Sequence, residues 1–265
     1  MGNFIKRLIS ALILLPPVIF LVYKGAIYLE LLVGVVVLLC AIEYYKMLGF
    51  ERFDFILAII FTLVVYGVLC HPNENALFLI TLILMAAALY TLFSIKDIKG
   101  ASAKLGYLFA GMMYIGLFPS FIPLIRNYDR ENGFYYLFTF LAVIWLSDTF
   151  AYFIGKSIGR HKLYEMISPR KTIEGSIGGV VGGIIGVYII ALFFKKSPSI
   201  DFVLLVGVLV NLIGQAGDLF ESMFKRDRGV KDSGDLIPGH GGMLDRVDAI
   251  IFSAPVMYLL LRFIL

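Results

Sequence analysis

Apolar runs of about 20 residues follow one another along almost the whole of this 265-residue chain, and each is long enough to cross a hydrocarbon core. No water satisfies backbone polar groups inside a bilayer, so such runs can become only helices or the strands of a closed barrel. Barrel strands alternate apolar and polar residues over about ten positions, whereas these runs are continuously apolar. The expected fold class is therefore all-α, a polytopic integral membrane protein. Read in order, the runs predict nine spans, near 8–23, 27–46, 54–70, 77–95, 105–126, 134–154, 176–194, 202–222 and 248–265. Charged residues make up 16% of the chain, against about 25% in soluble domains, and no stretch is left over for a separate soluble domain. Cys40 and Cys70 both fall in apolar runs and read as small core residues, not as a disulfide framework.

The first run follows Lys6 and Arg7, and no small-residue cleavage pattern comes after it, so it is expected to be a retained span bent at Pro16 and Pro17. Nine spans allow two orientations, and the distribution of Lys and Arg separates them. With the N-terminus inside, all but six of the 23 basic residues fall on the inner side, the exceptions being Lys24, Arg126, Arg130, Lys195, Lys196 and Arg262. The N-terminus is expected in the cytoplasm and the C-terminus outside. The two richest basic loops, 155–175 and 223–247, then share the cytoplasmic face.

Polar residues within the spans are few and patterned. In the eighth span Asn211, Gln215, Asp218, Ser222 and Lys225 recur at intervals of four and three, which places them on one helical face. At 1.5 Å per residue, Asp218 lies roughly 6–10 Å below the cytoplasmic end of that helix. A charge at the bilayer centre costs from about 2.5 kcal/mol upward, so the stripe should face protein or water. Asn211 and Gln215 are expected to serve helix-to-helix hydrogen bonding. The sixth span repeats the pattern with Ser147, Asp148, Tyr152 and Lys156, and the ninth opens with Asp245, Arg246 and Asp248. Four carboxylates, Asp148, Asp218, Asp245 and Asp248, can thus converge at the cytoplasmic mouth. Oxygen ligands without Cys or clustered His favour a hard cation, Mg²⁺ above Zn²⁺. The neighbouring bases suit an anion such as a polyphosphate.

Two loops add to this picture. In SPRKTIEGSIGGVVGGIIG, 168–186, Pro169 cannot donate a backbone hydrogen bond and Thr172 and Ser176 can cap, so a helix is expected to start within the loop, beside Arg170 and Lys171. Free N–H groups there would attract an anion. The glycines that follow, Gly175, Gly179 and Gly183, and again Gly178, Gly182 and Gly186, recur every four residues in the manner of close helix packing. In GHGG, 239–242, the backbone of Gly241 and Gly242 is open to ligand atoms, and His240 has three readings: acid or base, phosphate donor, or a residue that fixes the loop. His71 and His161 have no partner visible in the sequence. Glu43, Lys46, Glu51 and Arg52 read as a solvated or interfacial helix end.

The stretch SMFKRDRGVKDSGDLIPGHGGMLDRVD, 222–248, resembles the signature of the phosphatidate cytidylyltransferases, the CDP-diacylglycerol synthases, and meets every fixed position of S-x-x-K-R-x-x-x-x-K-D-x-G-x-x-x-P-G-H-G-G-x-x-D-R-x-D. The resemblance extends to WLSDTFAYFIGKSIGRHKL, 145–163, and SPRKTIEGSIGG, 168–179, while the first 130 residues match only as generic spans. It implies cytidylyl transfer from CTP to phosphatidic acid, with Mg²⁺ required and pyrophosphate released. On that basis residues 1–130 form an N-terminal membrane region and 131–265 the catalytic one. Asp218 and Asp245 would be the main metal ligands, with Asp148 and Asp248 beside them. Lys225, Arg226, Lys231 and Arg246 would hold phosphates. Ser168, Lys171, Thr172 and Glu174 would bind nucleotide or order the adjacent helix, and Asp232 is open between loop structure and a peripheral ligand role. Four carboxylates would accommodate a second cation. The expected partners are CTP, phosphatidic acid, membrane lipids and a second copy of the chain in a homodimer, with no nucleic acid, and the expected location is the cell membrane with the site on its cytoplasmic face. Two rivals stand: a CTP-dependent polyprenol kinase, and an ion or solute transporter, for which no internal repeat is found.

Overall fold

The computed structural model describes residues 17–50, 52–95, 97–235 and 241–264. Among them are eight helices long and apolar enough to cross a membrane. We label them α1 (Ala26–Met47), α2 (Arg52–Cys70), α3 (Ala76–Ser94), α4 (Ala101–Asn127), α5 (Gly133–Ile158), α6 (Ile173–Phe193), α7 (Ile200–Asp227) and α8 (Leu244–Ile264). The protein is a polytopic helical membrane protein. The span expected near 8–23 lies mostly outside the described residues, of which 17–24 are helical. Many of the largest apolar side chains point outward, among them Phe93, Leu192, Phe193 and Phe263. In water that would be an aggregation hazard, but in lipid it is the solvated face.

The chain divides into two compact units, the first Met1–Pro123 with Asp232–Leu244, the second Leu124–Lys231 with Asp245–Leu265. In the first unit, tyrosines tie the helices together where pure hydrocarbon would leave rotation unspecified. Tyr45 Oη sits 2.7 Å from Thr62 Oγ1 on α2 and donates to the Leu108 carbonyl at 3.3 Å, and Tyr66 Oη donates to the Glu30 carbonyl at 2.7 Å. Midway, α4 widens into a π-helical segment, Met112–Leu117, followed by the tight turn Phe118–Ser120. Pro119 explains the widening: it has no N–H, and its ring would press on the carbonyl four residues back in a regular helix.

The first unit also overturns one expectation. Glu43 is 3% exposed, so it is no solvated helix end. Its carboxylate accepts from the backbone N–H groups of Met243 and Leu244, both at 2.9 Å, and from Ser233 Oγ at 3.0 Å. Gly234 and Gly242 close in around it: a Cβ on Gly234 would lie 2.7 Å from Glu43 Oε1, and one on Gly242 would lie 2.8 Å from Glu43 Oε2.

In the second unit, α5 and α6 pack through the glycine face anticipated from the four-residue spacing. A Cβ on Gly182 would stand 2.6 Å from the Leu146 carbonyl oxygen, and one on Gly175 would stand 2.9 Å from that of Ala151. Gly183 performs the same service toward α7, where a Cβ would meet the Gly207 carbonyl at 2.5 Å. The loop before α6 departs from the all-helical expectation. It forms a two-stranded antiparallel hairpin, β1 (Lys162–Tyr164) and β2 (Ser168–Thr172), pairing Lys162 with Thr172 and Tyr164 with Ser168. Helix α6 therefore starts only after this strand, with Thr172 in extended backbone and its Oγ1 accepting the Gly175 N–H at 3.1 Å. That is N-cap geometry, and it assigns the cap to Thr172 over Ser176.

Candidate active site

The second unit contains two cavities that share a wall. The first, about 560 Å³, is lined by Asp148, Tyr152 and Lys156 from α5, by Arg170, Lys171 and Thr172 from β2, by Ser176 from α6, and by Gln215 and Asp218 from α7. The second, about 360 Å³, is lined by Asp148 and Trp145 from α5, Asp218 and Lys225 from α7, and Asp245, Arg246 and Asp248 from α8. Asp148 and Asp218 belong to both. The four carboxylates singled out by sequence are thus brought to one place, with three basic residues on one side and two on the other.

The charges are paired across elements. Lys171 Nζ lies 2.7 Å from Asp218 Oδ2, joining β2 to α7. Lys225 Nζ lies 2.6 Å from Asp245 Oδ1, joining α7 to α8, and it also contacts Glu221 one turn back on its own helix. Lys225 and Glu221 have side chains only 9% and 1% exposed, so neither is a surface ornament. No hydrogen-bond partner satisfies either Glu221 oxygen beyond that ammonium among the described residues. Sequence reading passed over Glu221, although its position three after Asp218 and four before Lys225 sets it on the same stripe. Deeper along that stripe, Asn211 Nδ2 donates to Ser147 Oγ, and Gln215 Nε2 donates to Asn211 Oδ1 at 2.7 Å and to the Ser176 carbonyl at 3.2 Å. The bonds to Ser147 on α5 and to Ser176 on α6 are the interhelical hydrogen bonds expected of Asn211 and Gln215, and the bond between the two residues lies within α7.

Other sequence candidates take different places. Arg226 is exposed and spends its guanidinium on the loops, donating to the carbonyls of Ile167 at 3.2 Å and Val230 at 2.8 Å. Lys231 and Ser168 line neither cavity. Glu174 orders the hairpin: its carboxylate accepts from the Arg160 N–H at 3.1 Å and meets His161 Nδ1 at 2.6 Å, so His161 has a partner after all. Gly242, expected to bare its backbone to ligand, is packed in the first unit, where a Cβ would fall 2.0 Å from Ser233 Oγ. Gly241 has φ +84°, a backbone that favours glycine. Asp232 is exposed in the first unit. His240 lies outside the described residues.

Metal binding can be judged from the donors. Among the described residues no three carboxylate, His or Cys groups are gathered ready to hold an ion. The cavity-facing acids are all oxygen donors, presented singly or in pairs, with Lys171 and Lys225 neutralising Asp218 and Asp245. This arrangement does not suit an ion that needs a complete protein cage. It does fit Mg²⁺, which keeps several waters and is commonly bound by one or two carboxylates plus substrate phosphates.

Fold and cavities together define a polytopic membrane protein with a charged, carboxylate-bearing site set among its helices. Comparison with known proteins gives the particular family. Residues 5–264 match the model of the cytidylyltransferase family, and the chain belongs to it. It is 40% identical over 169 residues to the phosphatidate cytidylyltransferase of Staphylococcus haemolyticus (strain JCSC1435), covering 64% of this chain and 61% of that protein. It is 41% identical over 158 residues to that of Bacillus subtilis (strain 168), covering 60% and 58%. With that of Staphylococcus aureus (strain COL) the identity is 46% over 132 residues, covering 50% and 51%. The aligned stretches therefore span between about half and three fifths of these relatives' length.

Proposed function

We propose that this protein transfers a cytidylyl group from CTP to phosphatidic acid, forming CDP-diacylglycerol and releasing pyrophosphate. The observation that carries the reading is the pair of cavities sharing Asp148 and Asp218, with basic side chains on both sides of the shared carboxylates. Membership of the cytidylyltransferase family and the names of the relatives support it. Both substrates are anionic, one soluble and one a lipid, so their phosphates must meet near the headgroup plane, where the ends of α5, α7 and the start of α8 lie in sequence.

In the reaction, an oxygen of the phosphatidate phosphate attacks the α-phosphorus of CTP. A new P–O–P bond forms, the bond from the α-phosphorus to the β-bridging oxygen breaks, and pyrophosphate leaves with the electron pair. The attacking phosphate is already ionised near neutral pH, so no dedicated general base is required and His240 is relieved of that role. Lys156, Arg170 and Lys171 supply charge for phosphate oxygens on one side, and Lys225 and Arg246 on the other. Phosphoryl and nucleotidyl transfers depend chiefly on positioning and charge neutralisation, which is what this set of residues can give. Asp218 and Asp245, assisted by Asp148 and Asp248, would hold Mg²⁺, which when bound neutralises charge developing on the phosphates. The lysines now pairing with Asp218 and Asp245 would then be released toward substrate. The acids leave room for a second cation. We place the site on the cytoplasmic face of the cell membrane, because the basic loops 155–175 and 223–247 both flank it in sequence.

Product identity tests the reading. CTP labelled at the α-phosphate should transfer its label to lipid, while CTP labelled at the γ-phosphate should leave label in soluble pyrophosphate. Transfer of the γ-label to lipid with release of CDP would identify a lipid kinase instead.

A further inference from the structure

Three glutamates are buried among the described residues: Glu30, Glu43 and Glu221. Glu30 meets His71 and Glu221 meets Lys225. Glu43 sits among neutral donors instead: it is buried on α1, nearly 200 residues from its partners in sequence, and its hydrogen bonds from Ser233, Met243 and Leu244 all come from the segment 232–244. Two of the donors, Met243 N–H and Leu244 N–H, are the backbone groups at the very start of α8. The first N–H groups of a helix have no partner within it, and they carry the positive end of the helix dipole, which favours an anion there. Glu43 therefore caps α8 from another helix, a task normally done by the residue just before the helix. The local sequence explains the need: Gly241, Gly242 and Met243 precede Leu244, and none has a side chain able to cap. The glycines at 234 and 242 give the carboxylate room, since a Cβ at either would lie within 3 Å of its oxygens.

The next residue along α8 is Asp245, and Asp248 follows one turn later. We infer that Glu43 is a positioning residue for the reaction: by fixing the first N–H groups of α8, it sets the direction in which Asp245 leaves the helix start. This rests on the proposed assignment of Asp245 to the active site. Glu43 itself lines neither of the two cavities described above. Misplacement of a catalytic group by about 1 Å can cost on the order of 10²-fold in rate, so the clamp has leverage over turnover without contacting substrate.

The test uses the full-length protein in detergent or vesicles and two readouts. Glu43→Gln keeps the shape of the side chain but replaces one acceptor oxygen by a donor NH₂, which cannot face a peptide N–H. Hydrogen exchange should quicken at the amides of 243 and 244, a readout that needs neither substrate nor metal. In the assay, kcat should fall by about ten- to a hundredfold, KM for CTP should stay within about twofold, and the Mg²⁺ concentration for half-maximal rate should rise. Ser233→Ala removes one donor of three and should show the same changes in weaker form, which keeps the idea testable if Glu43→Gln does not fold. Loss of activity through instability alone would lower the active fraction with an unchanged Mg²⁺ requirement, and that result would overturn the inference. So would fast exchange with normal kcat, normal exchange with low kcat, or a change confined to KM. A wild-type protein making no CDP-lipid would refute the proposed reaction and leave the exchange result to judge the clamp on its own.

Discussion

Lys225 is the residue on which most of the buried charge depends. Its ammonium bridges Glu221 on its own helix and Asp245 on α8, and all three side chains are largely withdrawn from solvent. Removing one partner of a buried ion pair leaves the others uncompensated, at a cost of about 3–5 kcal/mol. Lys225→Met should therefore lower the melting temperature in detergent markedly. Adding Glu221→Gln should recover part of that stability, because the more deeply buried of the two carboxylates left without Lys225 is then neutral, but should not restore turnover. Equal melting temperatures for the single variant and the wild type would show that the pair is open to water. Residue spacing singles out Asp148, Asp218, Lys225, Asp245 and Asp248, which line one cavity, because polar residues on an apolar helix are conspicuous. The buried role of Glu43 is not legible in the sequence for the opposite reason. It sits at the end of a span, where charge is ordinary, and its donors are one serine hydroxyl 190 residues away and two backbone N–H groups 200 and 201 residues away, the latter leaving no trace in side-chain pattern.

At the scale of elements, the glycines of α6 decide how closely three helices approach. A Cβ at Gly182 would meet a backbone carbonyl, which cannot swing aside. Gly182→Ala should destabilise by about 1–3 kcal/mol, the usual penalty of overpacking. Gly106→Ala, where nothing lies within 4 Å, should be neutral or stabilise by up to about 1 kcal/mol through helix propensity. Thermal unfolding of the two variants side by side checks both signs. The glycine face was legible because close packing imposes a four-residue period. The hairpin at 162–172 was not, since its strands are three and five residues long and the second carries Pro169, which argues against a strand in any sequence reading. What holds it are contacts between its own two arms: Lys162 Nζ donates to the Pro169 carbonyl at 2.6 Å, and the Ile173 N–H donates to the His161 carbonyl at 2.9 Å. The π segments in α4 and α7 were hidden likewise, because one extra residue in a turn leaves an apolar run looking uninterrupted.

For the whole molecule, the fold class followed from run length alone, and the family followed from the polar residues that interrupt those runs. Orientation rests on the Lys and Arg asymmetry and predicts opposite accessibilities for two exposed loops. With Cys40 and Cys70 buried, Glu165→Cys in the hairpin should react with a membrane-impermeant thiol reagent only from the cytoplasmic side, and Ser197→Cys only from the other. Labelling of both from one side would invert or break the topology. The central claim is chemical, and one measurement reaches it most directly. Purified protein in vesicles containing phosphatidate is given CTP labelled at the α-phosphate, with and without Mg²⁺, and wild type is compared with a folded Asp218→Asn variant. The account predicts that label enters the lipid phase as CDP-diacylglycerol only for wild type with Mg²⁺, the variant falling by at least about a thousandfold, which is about 4 kcal/mol of barrier. Label transfer by the variant at near wild-type rate, or none by the wild type under any divalent cation, would contradict it.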